Sequence, residues 1–186
     1  MQNIDFAILD FIQEHFRCSF LDAIVPIITL LGEKGILMTS VGLIMLLASR
    51  YRRCGISVLL SLIASLVVGN LALKHIVSRA RPCWINDTVQ MLVAIPRDYS
   101  FPSGHSMCTF AAATVIFMFD KRLGIPALII AALVALSRLY LYVHFPSDVL
   151  AGTIIGIAIG VFAANAVNLF FNKSGTGIKL SEKYNI

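Results

Sequence analysis

The sequence predicts an all-α integral membrane bundle, and three observations carry that reading. The chain is 58% hydrophobic and only 13% charged, with a mean hydropathy of +0.85, a balance typical of membrane helices and rare in soluble domains. Five long apolar runs approach or reach the length of a bilayer crossing. Between them the basic residues gather at the run ends rather than in one block, so the net charge of +5 does not point to nucleic acid. The 186 residues suit one domain. Cys18, Cys54, Cys83 and Cys108 lack CxxC or zinc-like spacing, and no metal site follows from them.

Met1 to Arg17 is too acidic for a secretory signal. Ile4, Ile8, Phe11, Ile12 and Phe16 recur at helical spacing, which predicts an amphipathic helix in the membrane interface. Phe20 to Leu31 is apolar but short and holds Asp22 and Pro26, so it reads as a re-entrant or interfacial segment. Gly32-Glu33-Lys34-Gly35 is a break. The five strong spans follow at about Gly35–Ser49, Gly55–Leu73, Ser103–Phe119, Gly124–Val143 and Ser147–Phe171, and six spans are possible if the N-terminal segment also crosses. This divides the chain into an N-terminal amphipathic segment (1–34), a transmembrane domain (35–171) and a C-terminal tail (172–186).

The basic clusters orient the bundle. Arg50-Tyr51-Arg52-Arg53, Asp120-Lys121-Arg122 and the tail with Lys173, Lys179 and Lys183 are predicted to be cytoplasmic. The loop Lys74 to Phe101 and the turn around His144 then face outward. That outer loop also holds Lys74, Arg79, Arg81 and Arg97, against the charge rule. Cations kept on the wrong side suggest a task, and binding an anion is the obvious one.

Three motifs meet on this outer face. Lys74 and Arg81 stand seven apart with Pro82 next, a spacing near two helical turns that predicts both cations on one helix side. Pro82 is expected to stop the helix and fix where Arg81 points. Pro102-Ser103-Gly104-His105 precedes a span; Ser103 is a good N-cap, Gly104 admits close approach, and the helix start favours an anion. Ser137 to Asp148, SRLYLYVHFPSD, supplies Arg138, His144 and Asp148. Pro146 suits a first helical turn, placing Asp148 where it can accept a hydrogen bond from the His144 ring and fix its tautomer. Arg138 offers planar donors suited to phosphate oxygens. Taken singly, each motif also reads as interfacial charge ending a helix.

Together the motifs read Lys-x6-Arg-Pro, Pro-Ser-Gly-His and Ser-Arg-x5-His-x3-Asp, in that order. This resembles the type 2 phosphatidate phosphatase family of integral membrane lipid phosphatases, related in site design to vanadium haloperoxidases, over roughly Gly55 to Phe171. The resemblance implies that His144 attacks phosphorus to form a phosphohistidine, with Asp148 orienting its ring. It implies that His105 protonates the leaving oxygen and later activates water, while Lys74, Arg81, Ser103, Gly104 and Arg138 hold the phosphoryl oxygens. No cofactor or metal and no obligate protein partner is expected; the partners are the bilayer and a lipid substrate. The site is placed at the extracytoplasmic face of a bacterial cell membrane. The favoured substrate is a polyprenyl (undecaprenyl) diphosphate, with phosphatidylglycerol phosphate or phosphatidic acid as the alternative. A transporter or anion-binding protein without catalysis is the reading of a different class. Tyr99, Phe101, Tyr140 and Tyr142 are candidates to border the path of a lipid tail.

Overall fold

In a computed structural model, residues 2–173 are described, and every regular element among them is helical. The C-terminal tail with Lys179 and Lys183 lies outside the described residues. The helices are α1 (Gln2–Phe16), α2 (Ser19–Leu30), α3 (Ile36–Leu47), α4 (Arg52–Ser65), α5 (Lys74–Val77), α6 (Pro82–Ile85), α7 (Gly104–Phe119), α8 (Lys121–Tyr140) and α9 (Pro146–Lys173). A π-helical stretch, Leu66–Leu73, joins α4 to α5, so the chain runs helically from Arg52 to Val77.

Three segments are long and apolar enough to cross a membrane, Ser49–Ile85, Lys121–Tyr140 and Pro146–Lys173, whereas α2, α3 and α7 are apolar but shorter. The segment expected to be re-entrant or interfacial forms α2. Tyr140 donates to Asp22, Arg138 donates to Thr29, and a side chain at Gly32 would meet Val134, so α2 descends along α8. Gly35 turns the chain at φ +67°, a conformation that favours glycine. Gly42 then lies against Val58 and Leu59, and Gly55 against the Leu46 backbone, so α3 continues downward beside α4. The predicted break therefore separates α2 from α3.

α1 is amphipathic as its spacing predicts. Asp5 and Leu9 are buried, while Ile4, Ile8 and Phe11 are exposed. The tightest packing joins α7 and α9. Gly152, Gly156 and Gly160 stand one turn apart on α9, and an added Cβ at each would lie 2.4–2.6 Å from the carbonyl oxygens of Ser103, Met107 or Ala111. A stripe of small residues lets two backbones approach this closely without a hydrophobic driving force. It also docks the start of α7 beside the start of α9, where Ser103 N–H donates to the Asp148 carbonyl at 3.1 Å.

The two ends of the bundle carry different chemistry. One gathers the end of α5, the starts of α7 and α9, and the end of α8. At the other, Tyr51 donates to Asp120 at 3.1 Å and the Arg53 guanidinium lies 5.1 Å over the Phe171 ring.

Candidate active site

His144 sits in the short connection between α8 and α9, fully enclosed. Its Nε2 lies 3.1 Å from Arg81 Nη1. A guanidinium can only donate, so Nε2 is the unprotonated nitrogen and the ring proton sits on Nδ1. The expected partner of that proton was Asp148. The structure corrects this: Nδ1 and Asp148 Oδ2 are 3.8 Å apart, beyond hydrogen bonding. Ser100 stands between them. Its hydroxyl donates to Asp148 Oδ2 at 2.5 Å and lies 3.4 Å from Nδ1. Asp148 also accepts the Phe145 N–H at 3.0 Å and Arg79 Nη1 at 2.5 Å. Burial, with the charges of Arg81, Arg138 and Lys74 added, holds the His144 imidazole well below its ordinary pKa. The ring is neutral at neutral pH, and its lone pair on Nε2 accepts from Arg81.

The cations converge, though by a different route from the one the spacing predicts. α5 ends at Val77, Ser78 turns left-handed at φ 48°, and Arg81 lies in extended backbone. Lys74 and Arg81 therefore share no helical face, and Pro82 begins α6 rather than ending a helix. Asp98 brings the two together: it accepts from Lys74 Nζ and, at 2.9 Å, from Arg81 Nη2. Arg81 also donates to the carbonyls of Asp98 and Val143, each at 2.7 Å. Burial pushes the Asp98 carboxyl up, but Lys74 and Arg81 outweigh it and hold the group at about 2. Arg138 donates to Thr29 Oγ1, and its Nε has no partner among the described residues. Lys74, Arg81 and Arg138 are 6%, 2% and 5% exposed. Three cations buried this deeply demand a compensating anion, and Asp98 is shared by two of them.

All three line one cavity of about 860 Å³, together with His144, His105, Gly104, Asp98, Glu33 and Asn70. His105 enters from the first turn of α7, and its Nε2 lies 3.5 Å from Glu33 Oε2. Ser103 is the N-cap that its spacing predicts, and its buried hydroxyl engages Ser106. The cavity continues along apolar walls from α2 (Pro26, Ile27, Leu30) and α4 (Ile63 with Leu66 beyond it), of which Ile27, Leu30, Ile63 and Leu66 are exposed. The four aromatics expected beside a lipid tail do not line it. Tyr140 and Tyr142 instead donate to Asp22 and Asp10 on the N-terminal side, and Tyr99 meets Trp84 edge-on.

Every predicted site residue thus reaches this end of the bundle. Sequence reasoning missed Ser100, Asp98, Glu33 and Asn70, and it counted Arg79 only as a loop charge. A usable signal existed for one: Asp98 is an acid in a loop that sets cations against the charge rule. Among the described residues no group of three or more His, Cys, Asp or Glu is placed to hold a metal ion.

A helical bundle with a buried neutral imidazole beside a cationic cavity is equipped to hold an anion. The chain belongs to the PAP2 superfamily, which it matches over residues 55–171. It is 34% identical over 114 residues to an undecaprenyl-diphosphatase of Sulfolobus acidocaldarius, covering 61% of this chain but only 55% of that relative. It is 30% identical over 139 residues to the bacitracin transport permease protein BcrC of Bacillus licheniformis, covering 74% of this chain and 68% of that one. The crystal structure of a transmembrane PAP2-type phosphatidylglycerolphosphate phosphatase from Bacillus subtilis matches with a TM-score of 0.73 at 28% identity, covering 96% of this chain and 88% of that chain.

Proposed function

We propose that this chain is a membrane lipid phosphatase working through a phosphohistidine on His144. The observation that carries the reading is the His144 ring itself: Nε2 is unprotonated and accepts from Arg81 at 3.1 Å, and the residue lines the same cavity as the cations. A phosphoryl group held there by Lys74, Arg81, Arg138 and the α7 N-terminus at Ser103 and Gly104 takes the Arg81 donor onto its own oxygens and meets the lone pair so released. The N–P bond forms, the P–O bond breaks, and the leaving oxygen takes a proton from His105. Water then attacks the phosphohistidine while His105 accepts its proton; a P–O bond forms, the N–P bond breaks, and phosphate leaves with Nε2 restored. Ser100 and Asp148 hold Nδ1–H behind the ring. The cations offset the charge that shifts to the equatorial oxygens, so activity is expected to survive EDTA.

The substrate we favour is a polyprenyl diphosphate, with phosphatidylglycerol phosphate as the second reading; the names of the relatives support one each. The apolar walls between α2 and α4 suit the tail of either amphiphile. We place five crossings in the bilayer, α2 with α3 forming one, and α1 at the interface. The site then lies extracytoplasmic, opposite the ends at Arg50–Arg53 and Lys121–Arg122. One relative's name is that of a transport protein, and transport needs no nucleophile. Phosphate release from a panel of lipid phosphates and diphosphates decides between these readings. Release that is lost in His144→Ala supports the phosphatase; substrate binding without release in the wild type leaves transport standing.

A further inference from the structure

The family match begins at residue 55, yet the carboxylate behind His144 is tied to a helix that precedes it. Asp5 on α1 is buried. It accepts the Ser147 N–H at 3.0 Å, the Ser147 hydroxyl at 2.6 Å and Arg79 Nη2 at 2.7 Å. Arg79 Nη1 donates in turn to Asp148 at 2.5 Å, and its guanidinium lies 4.0 Å over the Phe145 ring. Phe6, the next residue of α1, meets that ring edge-on at 5.1 Å. α1 therefore reaches residues 145, 147 and, through Arg79, 148.

We propose that Asp5 is a positioning residue for this reaction, holding Arg79 so that Asp148 keeps its negative charge available to His144. The proposal rests on the phosphohistidine reading above. When Nε2 bonds to phosphorus, Nδ1 keeps its proton and the ring becomes a cation. Lys74, Arg81 and Arg138 around the cavity all oppose that cation. Behind the ring, two carboxylates share one guanidinium, so the group carries one net negative charge. Without Asp5, Arg79 would neutralise Asp148 alone, and nothing behind the ring would balance the new cation. In a buried site, salt screens such a loss little.

Asp5→Asn keeps the shape and one acceptor for the Ser147 N–H, and removes the charge together with the oxygen that accepts from Arg79 Nη2 and the Ser147 hydroxyl. Measured on the full chain in lipid–detergent micelles, kcat for a lipid phosphate falls about tenfold while KM stays within about twofold, the pattern of an interaction made in the transition state. Asp5→Glu retains the charge and stays within about threefold of wild type. Adding Arg79→Gln to Asp5→Asn restores the net charge behind the ring and recovers most of the lost rate. If Asp5 only anchors α1, the two losses instead accumulate and the proposal fails. Leu9→Ala loosens the same helix without altering charge; a tenfold loss there in a folded protein would equally overturn it. Where Asp5→Asn does not fold, Arg79→Gln alone answers the question: kcat within about threefold supports the charge argument, and a tenfold loss sinks it. Vanadate binding, followed by vanadium-51 NMR, separates this proposal from the reading it rests on. A wild type that binds vanadate but releases no phosphate refutes the phosphatase. A vanadate affinity indifferent to Asp5→Asn refutes the role of Asp5.

Discussion

His144 and His105 face the same cavity from opposite kinds of support. His144 is fixed at both ring nitrogens, by Arg81 on one side and by Ser100 with Asp148 on the other. His105 rides the first turn of α7, and its Nε2 has no hydrogen-bond partner among the described residues, with Glu33 waiting at 3.5 Å. The difference suits the two tasks proposed for these rings. A nucleophile must hold one tautomer and one aim, because a small misplacement costs heavily in rate. A proton carrier must gain and lose its proton in each cycle, and a ring locked at both nitrogens would do that poorly.

The largest expected effect is on the fixed histidine. His144→Ala should remove turnover on every substrate, by about 10⁴-fold or more, and leave no phosphoenzyme to trap. A phosphoenzyme persisting in that variant, or phosphate trapped on residue 105, would reverse the assignment. The free histidine should show a graded loss. His105→Ala should lose about 10²–10⁴-fold on an alkoxide leaving group but form phosphoenzyme readily from an aryl phosphate such as p-nitrophenyl phosphate. Rapid-quench kinetics would then show a burst followed by slow turnover, since the same ring serves the second step. Equal losses in both phases would break the comparison.

Removing the bridge between Nδ1 and the carboxylate should cost less. Ser100→Ala deletes one hydrogen bond, worth about 0.5–1.5 kcal/mol, so kcat should fall up to about tenfold with KM little changed. A loss as large as that of His144→Ala would mean that Ser100 takes part in the chemistry directly.

The smallest effect is on stability against pH. The folded protein holds His144 below its ordinary value of 6.5, while the unfolded chain returns it there. Protons then favour the unfolded state, so this contribution is complete above pH 6.5 and declines as pH falls below it. Thermal unfolding of the wild type between pH 7.5 and 5 should show that decline, and His144→Gln should flatten it. Asp98 acts lower: held at about 2 against 3.8, its contribution is present above pH 3.8 and is lost as pH falls through about 2. A midpoint independent of pH in the upper range would show that His144 is not held neutral by its surroundings.

Local pattern carried much of this molecule. The N-cap at Ser103, the start of α9 at Pro146, the amphipathic α1 and the cations at Lys74, Arg81 and Arg138 each depend on neighbours within a turn or two. Reading Lys74 and Arg81 as one helical face failed because Ser78 turns left-handed, which nothing in its side chain announces. Phe20 to Leu31 falls in α2, whose course along α8, like that of α3 beside α4, depends on neighbours far along the chain.

By itself, the sequence determined the solvent of the fold, the order of its motifs and the chemical groups available, because hydropathy, capping and side-chain type are properties of short stretches. Tertiary structure alone decided which groups answer one another. Ser100 reaches His144 across 44 positions, Asp5 reaches Ser147 across 142, and Asp98 draws Lys74 and Arg81 to one point. A buried charge takes its partner from whatever the packing brings within hydrogen-bond reach, and separation along the chain does not encode that reach.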